Sequence, residues 1–186
     1  MAITTISSII LGVCDFALEH RDSFIALDLA DDEDAAPAKA FAPVFQKAHE
    51  KGLHITIHAG ESNSPTSPQN VIDAIETLHA QRIGHGLQII KSAKALQLVK
   101  QKRIPLELCV TSNWLTNAVS DLSQHPIREL IAAGILICLN SDDPGIFGID
   151  LTNDYHLLQQ QYGFQQIDFD RANDIAAQAS FIPLVD

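Results

Sequence analysis

The stretch His54-Ile55-Thr56-Ile57-His58-Ala59-Gly60-Glu61 decides how the rest of the chain is read. Side chains alternate across a strand, so His54, Thr56 and His58 share one face and Leu53, Ile55 and Ile57 the other. The apolar face suits packing under helices, and the polar face suits the inside of a barrel. His58 stands at the end of this strand, and Glu61 follows three residues on, past a glycine that lets the backbone turn. A histidine able to ligate a metal with a carboxylate beside it is the basic equipment of metal-assisted hydrolysis. The alternative for these residues alone is a satisfied core histidine with an exposed Glu61.

Outward from this strand, short apolar runs alternate with helical patterns. Upstream, residues 3–10 read as a strand, 15–21 as a helix, 24–29 as a strand and 43–51 as a helix closed by Gly52. Downstream, Ser67-Pro68 reads as an N-cap and first helical residue ahead of Val71, Ile72, Ile75 and Leu78. Residues 82–85, 104–110 and 135–140 then read as strands, and 91–102, 125–134, 151–162 and 169–181 as helices. Strand and helix in alternation with short connections imply a parallel sheet. No GxGxxG or GxxxxGK[ST] follows a strand, so nothing supports a nucleotide-binding doubly wound sheet.

Polar clusters recur at the strand ends instead. They are Asp31 to Asp34, His58 to Glu61, Gly84-His85-Gly86, Thr111-Ser112-Asn113 and Ser141-Asp142-Asp143-Pro144-Gly145. A (β/α)8 barrel builds its active site from such ends. Six strands are expected here, two short of a closed barrel. Asp142 shares the parity of Leu136, Cys138 and Asn140, which points it inward with His58. Adjacent carboxylates repel unless a cation or donors compensate. By itself Asp-Asp-Pro-Gly is equally good turn chemistry.

Composition narrows the function classes. The 186 residues are 46% hydrophobic and 19% charged, as in one soluble globular domain spanning 1–186. A net charge of −11 repels phosphate backbones and anionic lipid, so neither nucleic acid nor a membrane surface is an expected partner. Three cysteines without a CxxC suit a reducing, cytoplasmic setting and no cysteine-based zinc site. The first sixteen residues lack the basic flank and cleavage site of a signal peptide.

Taken together, HAGE at His58 to Glu61, RIGHG at Arg82 to Gly86, TSN at Thr111 to Asn113 and SDDPG at Ser141 to Gly145 resemble the adenosine deaminase family, most closely its bacterial members. The loop DLADDE, Asp28 to Glu33, resembles a family loop as well. The resemblance implies a (β/α)8 barrel with one zinc ion and hydrolytic deamination of adenosine or deoxyadenosine, a neutral purine nucleoside, to inosine and ammonia. It assigns His58 and Asp142 to zinc, and Glu61 as proton donor to purine N1. His85 would orient the attacking water and help deprotonate it, and Asp143 would meet N7. Asp31 stands where the family has a glycine whose N–H meets N3.

The sequence also departs from the family pattern. It contains no HxH, the pair of zinc-ligating histidines on the family's first strand. Residues 1–10 resemble the third barrel strand, so the chain is expected to hold strands 3 to 8 and to stop at 183–186 short of the family's C-terminal end. As it stands it is then expected to bind zinc weakly or not at all and to lack measurable deamination. A non-catalytic fragment is the competing reading from outside the enzyme class. A deaminase of adenine or of a modified adenosine monophosphate is the competing reading within it. The PCxxC signature of the cytidine-deaminase type is absent.

Overall fold

A computed structural model describes residues 3–182. The expected stop at 183–186, and the first two residues of the expected third strand, lie outside the described residues. In chain order the elements are α1 (Ile3–Glu19), β1 (Ala26–Leu29), α2 (Ala42–Glu50), β2 (His54–Ala59), α3 (Ser67–Glu76) and β3 (Arg82–His85). Then come α4 (Ala93–Lys102), β4 (Leu106–Leu108), α5 (Val110–Leu115), α6 (Ile127–Ala132), β5 (Ile137–Leu139), α7 (Pro144–Phe147), α8 (Leu151–Tyr162) and α9 (Gln166–Gln178).

The five strands pair in sequence order, all parallel. Register puts Leu27, Ile55, Ile57, Ile83, Leu106, Leu108, Ile137 and Leu139 on one face, and all are buried under the helices. The opposite face carries Asp28, Thr56, His58, Gly84, Glu107 and Cys138. Apolar-out and polar-in alternation is the arrangement expected of a barrel wall. Below the strand ends the inner face is tied together by Thr56 Oγ1 donating to Glu107 Oε2 at 3.2 Å and by an Arg82–Glu107 ion pair at 3.3 Å.

Three local expectations are corrected. Residues 3–10 are the start of helix α1, which also absorbs the helix expected at 15–21, so the sheet has five strands among the described residues and not six. An apolar run suggested a strand there. The controlling signal is the spacing of Ile3, Ile6, Ile10, Cys14 and Ala17, of which Cys14 and Ala17 are buried. Strand β4 is three residues long, and Val110 opens a short helix that carries Thr111, Ser112 and Asn113. The N-cap of α3 is Thr66, one residue earlier than expected. Ser67 Oγ donates instead to the Ser62 carbonyl at 2.6 Å.

The loops after β1 and β2 are joined by one carboxylate. Glu33 Oε1 accepts from the N–H groups of Glu61 (2.8 Å) and Ser62 (2.7 Å). Its Oε2 accepts from Gly60 N–H (2.9 Å) and Asn70 Nδ2 (3.0 Å). Gly60 has φ +73, and a Cβ there would lie 2.6 Å from Val71 Cγ2, so the tight departure from β2 requires glycine. Hydrogen bonds to a charged acceptor are worth about 1.5–3 kcal/mol each, and an unpaired buried donor costs about as much. Glu33→Gln places an N–H against these donors. It is expected to lower stability by about 2 kcal/mol in urea unfolding, and a loss under about 0.5 kcal/mol would refute the latch.

Candidate active site

The six residues singled out from sequence, Asp31, His58, Glu61, His85, Asp142 and Asp143, all line one cleft of about 310 Å³ at the C-terminal ends of the strands. His58, His85 and Asp142 draw closest, each placing one ligand-type atom within 4.8 Å of the others. Asp143 caps α7 and lies exposed at the cleft wall, outside that cluster.

Two backbone features aim these side chains. Strand parity would send His85 to the helix-facing side with Ile83. It instead adopts φ +60 at the end of β3, between Gly84 and Gly86, and turns into the cleft. Asp142 likewise has φ +59, so a left-handed turn aims it after β5 has ended at Leu139, and strand parity no longer applies there. Gly84 opposes His58 across the sheet, and a Cβ there would stand 3.0 Å from His58 Cγ. The ring of His58 therefore lies against bare backbone.

Each cluster residue is held by a neighbour. His58 Nδ1 lies 3.0 Å from Asp28 Oδ2, and this hydrogen bond raises the histidine pKa above its ordinary value. With Nδ1–H given to Asp28, Nε2 is free to ligate, the usual device for orienting a metal-binding histidine. Asp142 Oδ2 accepts from Ser112 Oγ at 2.6 Å. Glu61 Oε1 accepts from Thr116 Oγ1 at 2.9 Å, while Oε2 faces His85 Nε2 at 3.4 Å. His85 is 2% exposed, and burial lowers its pKa despite the Glu61 carboxylate. Asp28, Glu33, Ser112 and Thr116 were not singled out from sequence. Asp28 and Glu33 lie in the quoted loop and Ser112 in TSN, but nothing local marks what they touch.

The imidazole of His58 and the carboxylate of Asp142 converge within reach of one ion and are the nitrogen and oxygen donor types that zinc takes. With His58 and Asp142 as ligands, further positions stay open, as the HxH pair of the resemblance would require.

Comparison with known proteins agrees with this barrel wall and its strand-end cleft. The adenosine deaminase family model matches residues 7–185. The chain is 37% identical over 172 residues to the adenosine deaminase of Pseudoalteromonas translucida, covering 92% of this chain and 51% of that protein. Among solved structures, it is similar to an adenine deaminase from Arthrobacter aurescens (TM-score 0.88, 29% identity, 95% of this chain and 53% of that one). It is also similar to an N6-methyl-AMP deaminase from Arabidopsis thaliana (TM-score 0.82, 29% identity, 95% and 51%). The fold is part of a (β/α)8 barrel of the kind found in these deaminases. The chain belongs to the adenosine deaminase family, and it spans about half the length of the relatives it matches.

Asp31, which the family resemblance sets against a glycine, has φ +105, a backbone region that favours glycine. Its Oδ1 accepts from Asp32 N–H at 2.8 Å, a partial compensation. Asp31→Gly is expected to raise stability by roughly 0.5–1 kcal/mol, read as a higher urea midpoint. A lower midpoint would show that the side chain contributes more than the backbone strain removes.

Behind the cleft, burial lowers the pKa of His125 to about 4. Unfolded, that histidine titrates near its ordinary 6.5, so between pH 6.5 and 4 the unfolded chain binds a proton that the folded chain refuses. His125 therefore adds no penalty above pH 6.5 and costs stability progressively as pH falls, approaching about 3 kcal/mol near pH 4. Urea unfolding at stepped pH should show this slope, and His125→Gln should flatten it. An equal slope in both proteins would refute the assignment.

Proposed function

We propose that this chain carries the strand-end half of a zinc-dependent purine aminohydrolase that replaces the 6-amino group of adenosine with oxygen, releasing ammonia. The observation that carries this reading is the meeting of His58, Glu61, His85 and Asp142 in one cleft.

His58, braced by Asp28, and Asp142, braced by Ser112, would hold the ion. Zinc supplies Lewis acidity that makes water a nucleophile near neutral pH. Glu61 stands where one carboxyl oxygen is tethered by Thr116 and the other is free to hand a proton to purine N1, which makes C6 electrophilic. His85, within 3.4 Å of Glu61 and 4.0 Å of Asp142, orients the attacking water between them. Asp143, on the exposed wall, meets the N7 side of the ring, and the Asp31 N–H meets N3.

The lining favours a neutral substrate. Six carboxylates (Asp31, Asp32, Glu33, Glu61, Asp142 and Asp143) border the cleft, with no Lys or Arg among its described lining residues. A phosphate would meet repulsion there, which favours a nucleoside over a nucleotide. Free adenine, the substrate class of the Arthrobacter relative, is the alternative that the same electrostatics allow. Three free, buried cysteines suit a reducing cytoplasm, and no described helix is long and apolar enough to cross a membrane.

The test uses the chain joined to an HxH-bearing segment from a relative, with ammonia release from adenosine and metal content measured together. Glu61→Gln should cut kcat by ~10²–10⁴-fold with zinc retained. His58→Ala and Asp142→Asn should lose or weaken zinc. Asp143→Asn should keep zinc and narrow the difference between adenosine and its 7-deaza analogue. Near-normal turnover in Glu61→Gln, or zinc loss in Asp143→Asn but not in Asp142→Asn, would overturn the roles.

A further inference from the structure

Behind the cleft, three buried side chains form a hydrogen-bond chain that ends on the backbone. The Ile127 N–H donates to His125 Nδ1 at 3.2 Å. His125 Nε2 lies 3.1 Å from Asn113 Oδ1, and Asn113 Nδ2 lies 3.0 Å from His85 Nδ1. His125, Asn113 and His85 are 4%, 0% and 2% exposed, so water cannot substitute freely for any partner.

The direction of every bond in this chain follows from its backbone end. A backbone amide can only donate, so His125 Nδ1 is a bare acceptor. A neutral imidazole carries one N–H, which for His125 must then sit on Nε2. That N–H requires an acceptor, which fixes the Asn113 amide with its oxygen towards His125. The amide NH₂ is left facing His85 Nδ1, which must also be a bare acceptor. The single N–H of His85 is therefore on Nε2, directed at Glu61 Oε2 (3.4 Å) and Asp142 Oδ2 (4.0 Å). Reversing any link sets two donors or two lone pairs against each other in a buried place, which costs about 1–3 kcal/mol.

We infer that Asn113 and His125 are positioning residues that lock His85 in its Nε2–H tautomer, so that His85 meets the reacting atoms as a hydrogen-bond donor. Its Nε2 then has no lone pair for a metal and cannot take a proton from water. Its Nδ1 lone pair is occupied by Asn113. The share in deprotonating water that the family resemblance gave to His85 is thereby removed, while orientation of that water remains. The tautomer stands on the hydrogen bonds alone, and its meaning for catalysis rests on the deaminase reading.

The ¹⁵N-labelled 186-residue chain allows a test that needs no turnover, by long-range ¹H–¹⁵N correlation of the imidazole rings with and without added zinc. Both His85 and His125 should show a protonated Nε2 and a bare Nδ1, and zinc should leave the His85 pattern in place. In Asn113→Asp both carboxylate oxygens accept, so the Nδ1 resonance of His85 should move from the bare to the protonated range. In His125→Gln the Asn113 amide loses its fixed orientation, and His85 should populate both tautomers. A protonated Nδ1 on His85 in the parent chain would overturn the inference. So would displacement of its Nε2–H by zinc, or an unchanged His85 pattern in either folded variant. Failure of the HxH-completed chain to deaminate adenosine would overturn the functional reading while leaving these ring signals, and the tautomer, as measured.

Discussion

The carboxylate of Glu33 is the constraint on which the arrangement of the cleft depends. It leaves one strand-end loop and takes three successive N–H groups of the next, together with the side chain of Asn70. Backbone amides facing one way form a concave anion site, and here the anion is the protein's own. The effect is to set the direction in which Glu61 leaves β2, and hence its distance from His85 and Thr116. A loop free to choose its own path would not fix those distances. Glu33 converts two loops into one body.

Around that body the support is layered. Asp28 turns the His58 ring, Ser112 holds Asp142, and Asn113 with His125 orients His85. These partners come from β1, from the short helix after β4 and, for His125, from the turn before α6, so neighbouring elements brace one another's side chains. Precision in such a site comes from locking each group through a second one. The polar layer of Thr56, Arg82 and Glu107 beneath the cleft ties neighbouring strands together across the inner face of the sheet.

What could be read from sequence was local. HAGE, GHG and SDDPG each announce themselves at the end of an apolar run, and the six residues drawn from the strand-end loops do reach one cleft. The parallel order of strand and helix was legible for the same reason. The supporting residues were not, because Glu33 acts on a segment 27 to 29 residues away and Asn113 on a histidine 28 residues away. No spacing rule reaches across such distances. Helix α1 was misread because the apolar run at its start outweighed a spacing that was already helical. Thr111 to Asn113 were recognised as important but placed on a strand end, since a six-residue helix is too short to show a period.

Six non-glycine residues of the described chain have positive φ, and three of them, Asp31, His85 and Asp142, border the cleft. Each holds a conformation that an isolated peptide would abandon. The surrounding contacts must supply the energy to keep it, so the cleft subtracts from the stability that the core provides. Substitutions that relax the backbone at His85 or Asp142 would yield a hardier protein with its reactive groups misdirected. Durability and the proposed chemistry are thus opposed at the same residues in this chain, and selection for heat tolerance alone would erode the cleft first.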